Sequence, residues 1–115
     1  MTTELTRAAH RFRDAYHARL DLVSEQADWT RTIALVASDT GDSVAVQIDA
    51  GRVVACVEQS ATGDVVITAD ARTLCDILEL RQGPNEPYLF GDLVVRGPAA
   101  DFVRLDYLAS RLCPE

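Results

Sequence analysis

The sequence predicts an α+β domain: a five-stranded, mostly antiparallel sheet covered on one face by helices. Three observations carry that expectation. Apolar residues recur at helical spacing near both ends of the chain and again just past its middle. Between the first two of these segments they alternate with a period of two. The alternating runs are separated by short turn signals, which favour antiparallel neighbours and set the helices apart from the sheet.

The first element is a helix over about 4–22. Leu5, Ala8, Ala9, Phe12, Ala15, Tyr16, Leu20 and Val23 fall on one side of it, and Thr3 is placed to cap it. From Trp29 the period changes, and strands are expected over about 30–69. Ile33, Leu35 and Ala37 alternate with Thr32, Ala34 and Val36; Val44, Val46 and Ile48 alternate with Ser43, Ala45 and Gln47. Asp39-Thr40-Gly41-Asp42 and Asp49-Ala50-Gly51 mark the first two turns. A third strand runs over 52–59, and Gly63-Asp64 leads into a fourth over 65–69. Asp70 reads as the N-cap of a helix over 71–81 with Leu74, Ile77 and Leu78 on its apolar face. Gly83, Pro84 and Pro87 mark a loop. A fifth strand is expected over 88–96, with Gly91 as a bulge or a point of close approach. Pro98 opens a last helix over 98–112, where its missing N–H costs nothing; Phe102, Leu105, Leu108, Ala109 and Leu112 form its stripe.

A chain of 115 residues fits one domain, 1–115, able to bury roughly two-thirds of its unfolded surface. Its charge excludes some function classes. All 11 bases are Arg against 18 acids, for a net charge of −7, and residues 32–115 carry the whole imbalance. Nucleic-acid binding needs a basic footprint that is missing here, and attraction to an anionic membrane is disfavoured for the same reason. No apolar run approaches the roughly 20 residues of a membrane span, so stable membrane insertion is not expected. The segment MTTELTRAAHRFRD lacks the apolar core of a secretion signal. Cys56, Cys75 and Cys113 are odd in number and widely spaced, which suits reduced thiols in a cytoplasmic protein.

Three segments carry a family resemblance. Asp64-Val65-Val66-Ile67-Thr68-Ala69-Asp70, followed by the apolar helix, resembles the strand-then-helix element of the sterol carrier protein type 2 family. Pro87-Tyr88-Leu89-Phe90-Gly91-Asp92-Leu93-Val94-Val95-Arg96-Gly97 is similar to that family's glycine-containing strand, and Ile48-Asp49-Ala50-Gly51-Arg52-Val53 to its central hairpin. The similarity covers roughly 30–112 and looks like a small stand-alone member of bacterial type. The chain departs from the pattern at Pro98, where the family commonly has an acid, and in the polar loop 82–87. The resemblance implies an apolar tunnel or cavity between sheet and helices that takes acyl chains, sterols or other apolar molecules such as isoprenoids and polyketides. Leu74, Ile77 and Leu78 would line it from the second helix, Leu89 or Phe90 from the fifth strand, and Phe102, Leu105 and Leu108 from the last helix. Each of these residues also reads as plain core, because pattern alone does not separate lining from filling.

Other constellations carry less. His10, Asp14, His17 and Asp21 share a helical stripe, which a metal or an acid/base pair can use but which more often is a solvated face with His–Asp pairs. Cys56 and Cys75 read as buried small hydrophobes. Trp29 reads as an apolar cap where the first helix meets the sheet, and Asp92 points either to the pocket or to solvent. No catalytic residue, metal site or cofactor site is expected. Motifs of the GxSxG, Walker, GxGxxG and HExxH types are absent, and without Lys there is no Schiff-base chemistry. Three readings follow: a non-enzymatic binder or carrier of an apolar small molecule; a small enzyme or cyclase of secondary metabolism that uses a carboxylate such as Asp92 or Glu58 in the same pocket; and an interaction module with a filled core, as a homodimer through an exposed sheet face or edge.

Overall fold

The computed structural model describes residues 3–112. The elements in chain order are α1 (Glu4–His17), α2 (Leu20–Glu25), β1 (Arg31–Ala37), β2 (Ser43–Asp49), β3 (Arg52–Glu58), β4 (Val65–Ala69), α3 (Ala71–Leu78), α4 (Asn85–Leu89), β5 (Val94–Arg96) and α5 (Ala99–Leu112). Thr3 and Asp70 cap α1 and α3: their side chains accept from the backbone N–H of Thr6 and Thr73, which satisfies two helix-start donors. Among the described residues, no helix is long and apolar enough to cross a membrane.

The sheet runs β3-β2-β1-β4-β5. β1–β2, β2–β3 and β4–β5 pair antiparallel, whereas β1–β4 pair parallel, so the sheet is mixed. The fourth strand does not continue the meander. Residues 59–64 carry the chain back across the sheet to the far side of β1. Small residues make that crossing possible. Ala34 and Ala45 face each other on the side away from the main core and are fully buried. A Cβ on Gly63 would stand 2.7 Å from the Thr32 carbonyl oxygen, so only glycine passes there.

Ile33 and Leu35, Val44, Val46 and Ile48, and Val65, Ile67 and Ala69 present alternate positions of the strands to α1, α3 and α5, and together these form one core. In β3 the register shifts opposite Gln47/Ile48 and leaves Val54 unpaired. Val53 is therefore buried, Val54 is exposed, and Cys56 rather than Ala55 turns toward the helices.

Besides ending α3 at Leu78 rather than at 81, the structure differs from the sequence reading in two further places. The predicted helix 4–22 is broken at Arg19, whose φ of −104° and ψ of 83° are not helical. The break rephases the chain, so that Leu22 and Val23 are buried while Leu20 is 65% exposed. Asp21 consequently leaves the His10–Asp14–His17 stripe and pairs with Arg19 instead. The predicted strand 88–96 shrinks to Val94–Arg96, and α4 takes up its start. Pro87 sits in the first turn of α4, where no intrahelical bond needs its missing N–H.

Candidate functional site

The inner face of the sheet supplies one wall of a cavity. Ile33 and Leu35 of β1, Val46 and Ile48 of β2 and Ile67 of β4 reach it because residues two apart on a strand share a face. Phe12 of α1, Ile77 and Leu78 of α3, and Leu105 and Ala109 of α5 supply the opposite wall. Leu105 and Ala109 are one helical turn apart, so both point the same way. Pro84 and Leu93, from the segments flanking α4, close one side. The cavity measures about 40 Å³, and every lining residue is apolar. That is room for on the order of three water-sized groups. Of the twelve lining residues only Ile77 and Leu105 are not fully buried, so the cavity comes nearest the surface between α3 and α5, beside the loop 79–84.

The structure places the residues expected to line a pocket in different settings. Ile77, Leu78 and Leu105 line the cavity. Leu74 and Leu108 are completely buried but pack as solid core outside it. Phe102 also lies outside it, with its ring 4.9 Å from that of Tyr88. Leu89 and Phe90 are 71% and 74% exposed and do not line it. Their inward placement presumes a strand, and the α4 helix with its turn carries them out to solvent. The sequence does not single out the sheet residues, Phe12, Ala109, Pro84 or Leu93 as lining. Alternation marks the strand residues as inward-facing, but no local signal marks which inward residues border a void.

No titratable side chain lines the cavity. Asp92 is exposed, and Glu58 accepts from the Thr3 backbone N–H at the start of α1. That bond holds the Glu58 carboxyl below its usual range. His17 accepts from the Val53 N–H through Nε2 at 3.0 Å, which fixes the ring as the neutral tautomer with its proton on Nδ1. Burial, with Arg52 and Arg13 close by, pushes its pKa down against the opposing pull of Asp14. Burial raises the Cys56 and Cys75 thiols, so both stay protonated and poorly nucleophilic. Cys113 lies outside the described residues. Among the described residues, no group of three or more His, Cys, Asp or Glu is arranged to hold a metal ion.

A second, charged cleft of about 560 Å³ lies between the start of α1, the β1–β2 turn and α3. Several of its charged groups are engaged in structure. Asp39 accepts from the Ala71 N–H at the start of α3, and Arg81 holds both Asp76 and Glu79. Trp29 does more than cap. Its indole N–H donates to Asp101 of α5 at 2.8 Å, and Arg31 completes the pair on the other carboxylate oxygen.

Comparison with solved structures finds the same architecture elsewhere. A crystal structure of sterol carrier protein 2 superposes with a TM-score of 0.70 at 22% identity, covering 93% of this chain and 91% of that one. A conserved hypothetical protein of Thermus thermophilus, described as possibly sterol carrier protein, gives 0.65 at 22% identity over 95% and 88% of the two chains. Palmitated SCP2L2 from Aedes aegypti gives 0.64 at 14% identity over 91% and 96%. No family model and no curated protein matches this chain.

Proposed function

We propose that this chain, which has the fold of sterol carrier protein 2, binds or carries an apolar small molecule between its sheet and its helices. The observation that carries the reading is the cavity itself. Its walls are aliphatic apart from the Phe12 ring, no polar group interrupts them, and Ile77 and Leu105, its two partly exposed lining residues, mark where it comes nearest the surface. Water gains nothing in such a space, whereas each buried methylene of a guest contributes about 0.8 kcal/mol. The palmitated mosquito protein of the same fold is consistent with an acyl-type guest. A guest of that length exceeds about 40 Å³, so binding has to part the side chains between α3 and α5 as it proceeds. Leu74, Phe102 and Leu108 would form the second layer that yields, and Leu89 and Phe90 the outer apolar surface that the guest meets first.

The free thiols Cys56 and Cys75 suit a reducing, cytoplasmic setting. The charge of −7 leaves nucleic acid an unsuitable partner. The experiment is native mass spectrometry of the protein purified from its own host, followed by melting shifts with acyl chains, sterols and polyketide-like compounds. A co-purified apolar molecule, or a rise in melting temperature that grows with ligand concentration, is expected. A protein that carries nothing and shifts with no member of the panel overturns the reading.

A further inference from the structure

The charges around the mouth between Ile77 and Leu105 are unevenly satisfied. Asp76, next to Ile77, is held by Arg81 at 2.7 Å, and the same guanidinium holds Glu79 at 2.7 Å. Glu79 is also paired with Arg11. Arg104, next to Leu105, is turned away: it forks onto Asp28 at 3.0 and 3.1 Å, contacts Gln26 and covers the Trp29 ring. Asp106 is the exception. It follows Leu105 on α5 and is half-buried, and it has no hydrogen bond or ion pair to any other described residue. Its Oδ1 lies 3.7 Å from the position a Cβ would take on Gly83, so the carboxylate stands against the loop residue that precedes cavity-lining Pro84.

We infer that the mouth of the cavity selects an apolar molecule ending in an amine, with the ammonium held by Asp106 and the hydrocarbon passing between Ile77 and Leu105. This inference rests on the proposed apolar-binding reading and names the polar end of the guest. The physical case is one of charge. The cavity offers a polar end group no partner, so that group stays at the rim, where its desolvation is smallest. At the rim each Arg is already committed to carboxylates of the protein, and a guest carboxylate would meet the unpaired Asp106. An ammonium instead donates a charge-assisted hydrogen bond to a carboxylate that breaks no bond to another described residue in accepting it. Gly83 contributes by leaving that side of Asp106 open.

The test is a matched set of decylamine, decanol and decanoate at neutral pH, below their aggregation thresholds, with affinity read by calorimetry and by melting shift. Decylamine is expected to bind at least tenfold more tightly than decanoate, with decanol between. Asp106→Asn is expected to bring the amine-to-carboxylate ratio near one while leaving decanol binding within about twofold. Asp14→Asn removes an equal charge from the exposed face of α1 and is expected to leave the ratio unchanged, which separates Asp106 from the general acidity of the chain. Decanoate binding as well as or better than decylamine, or a ratio that survives in Asp106→Asn, overturns the head-group assignment and leaves the apolar-binding reading intact. Failure of all three to bind overturns both.

Discussion

The hydroxyl of Tyr16 donates to the carbonyl oxygen of Gly51 at 2.5 Å, and this buried bond ties the middle of α1's packing face to the tip of the β2–β3 hairpin. Burial is the main reason that the phenol is pushed up to about 12, against opposing help to the phenolate from Arg104 and Arg52. Tyr16→Phe leaves the Gly51 carbonyl without this donor and is expected to cost about 1–2 kcal/mol in urea unfolding. A folded-state pKa above the unfolded value means that the neutral phenol's contribution is complete below about pH 10 and is lost as pH rises through about 12. Absorbance titration of the phenols is expected to lose its latest step in the variant. An unchanged titration would show that the late step belongs to another tyrosine.

The same hairpin turns on Ala50 and Gly51 with φ of 50° and 83°, the two positive values of a type I′ turn. Gly51→Ala places a Cβ 2.5 Å from the Gln26 carbonyl oxygen at a positive φ, and is expected to destabilise by roughly 3 kcal/mol or more. Ala50 is exposed, so Ala50→Asn meets no such contact and is expected to stabilise by about 0.5 kcal/mol. Opposite signs at adjacent positions are the check, read from urea midpoints.

His17 gives a prediction of the other sign with pH. Its folded-state pKa is depressed, so its contribution is present above the unfolded value of about 6.5 and is lost as pH falls through the folded one. Protonating Nε2 would set a donor against the Val53 N–H. Stability measured from pH 8 to 5 is expected to fall below about 6.5 by at most about 1.4 kcal/mol per pH unit from this group. His17→Gln keeps an acceptor without the titration and is expected to flatten that part of the profile. An identical profile in the variant would assign the fall to other groups.

Val46→Ile adds one methyl to the cavity wall without changing strand preference. It is expected to stabilise by about 0.8 kcal/mol and to weaken binding of apolar ligands. Weaker binding without the gain in stability would mean strain rather than filling.

Trp29→Phe removes the donor to a carboxylate that is only 4% exposed. The expected cost is about 2–3 kcal/mol, more than for an exposed bond, because Asp101 keeps its charge and loses one of its two partners. A cost under about 1 kcal/mol would mean that Arg31 alone satisfies the group.

Much of the architecture is legible because it is written locally. Thr3 and Asp70 announce helix starts through a side chain that reaches three residues ahead, and Ile33, Leu35, Val46 and Ile48 announce an inward face through simple alternation. What is not legible depends on partners distant in sequence. Nothing in Ser60–Asp64 reveals that β4 will pair with β1, since turn residues specify a bend and not the strand that waits beyond it. Tyr88-Leu89-Phe90 reads as strand because a five-residue helix is too short to display a period. Ile77 and Leu105 are expected as lining residues from the apolar faces of their helices and the family resemblance, and both border the cavity. Leu74 and Leu108 satisfy the same criteria and fill space instead, a distinction set by how the helices dock.

The strand order gives the two walls of the cavity different mechanical standing. β1, β2 and β4 are interior strands, each laddered on both sides, so the wall built from Ile33, Leu35, Val46, Ile48 and Ile67 cannot retreat without tearing paired backbone. Ile77, Pro84 and Leu105 are fixed by side-chain packing and connecting loops. Expansion is therefore one-sided: a swelling interior displaces the helical shell outward over a stationary floor, and hydrogen exchange should quicken in α3 and α5 before it does in the middle of the sheet.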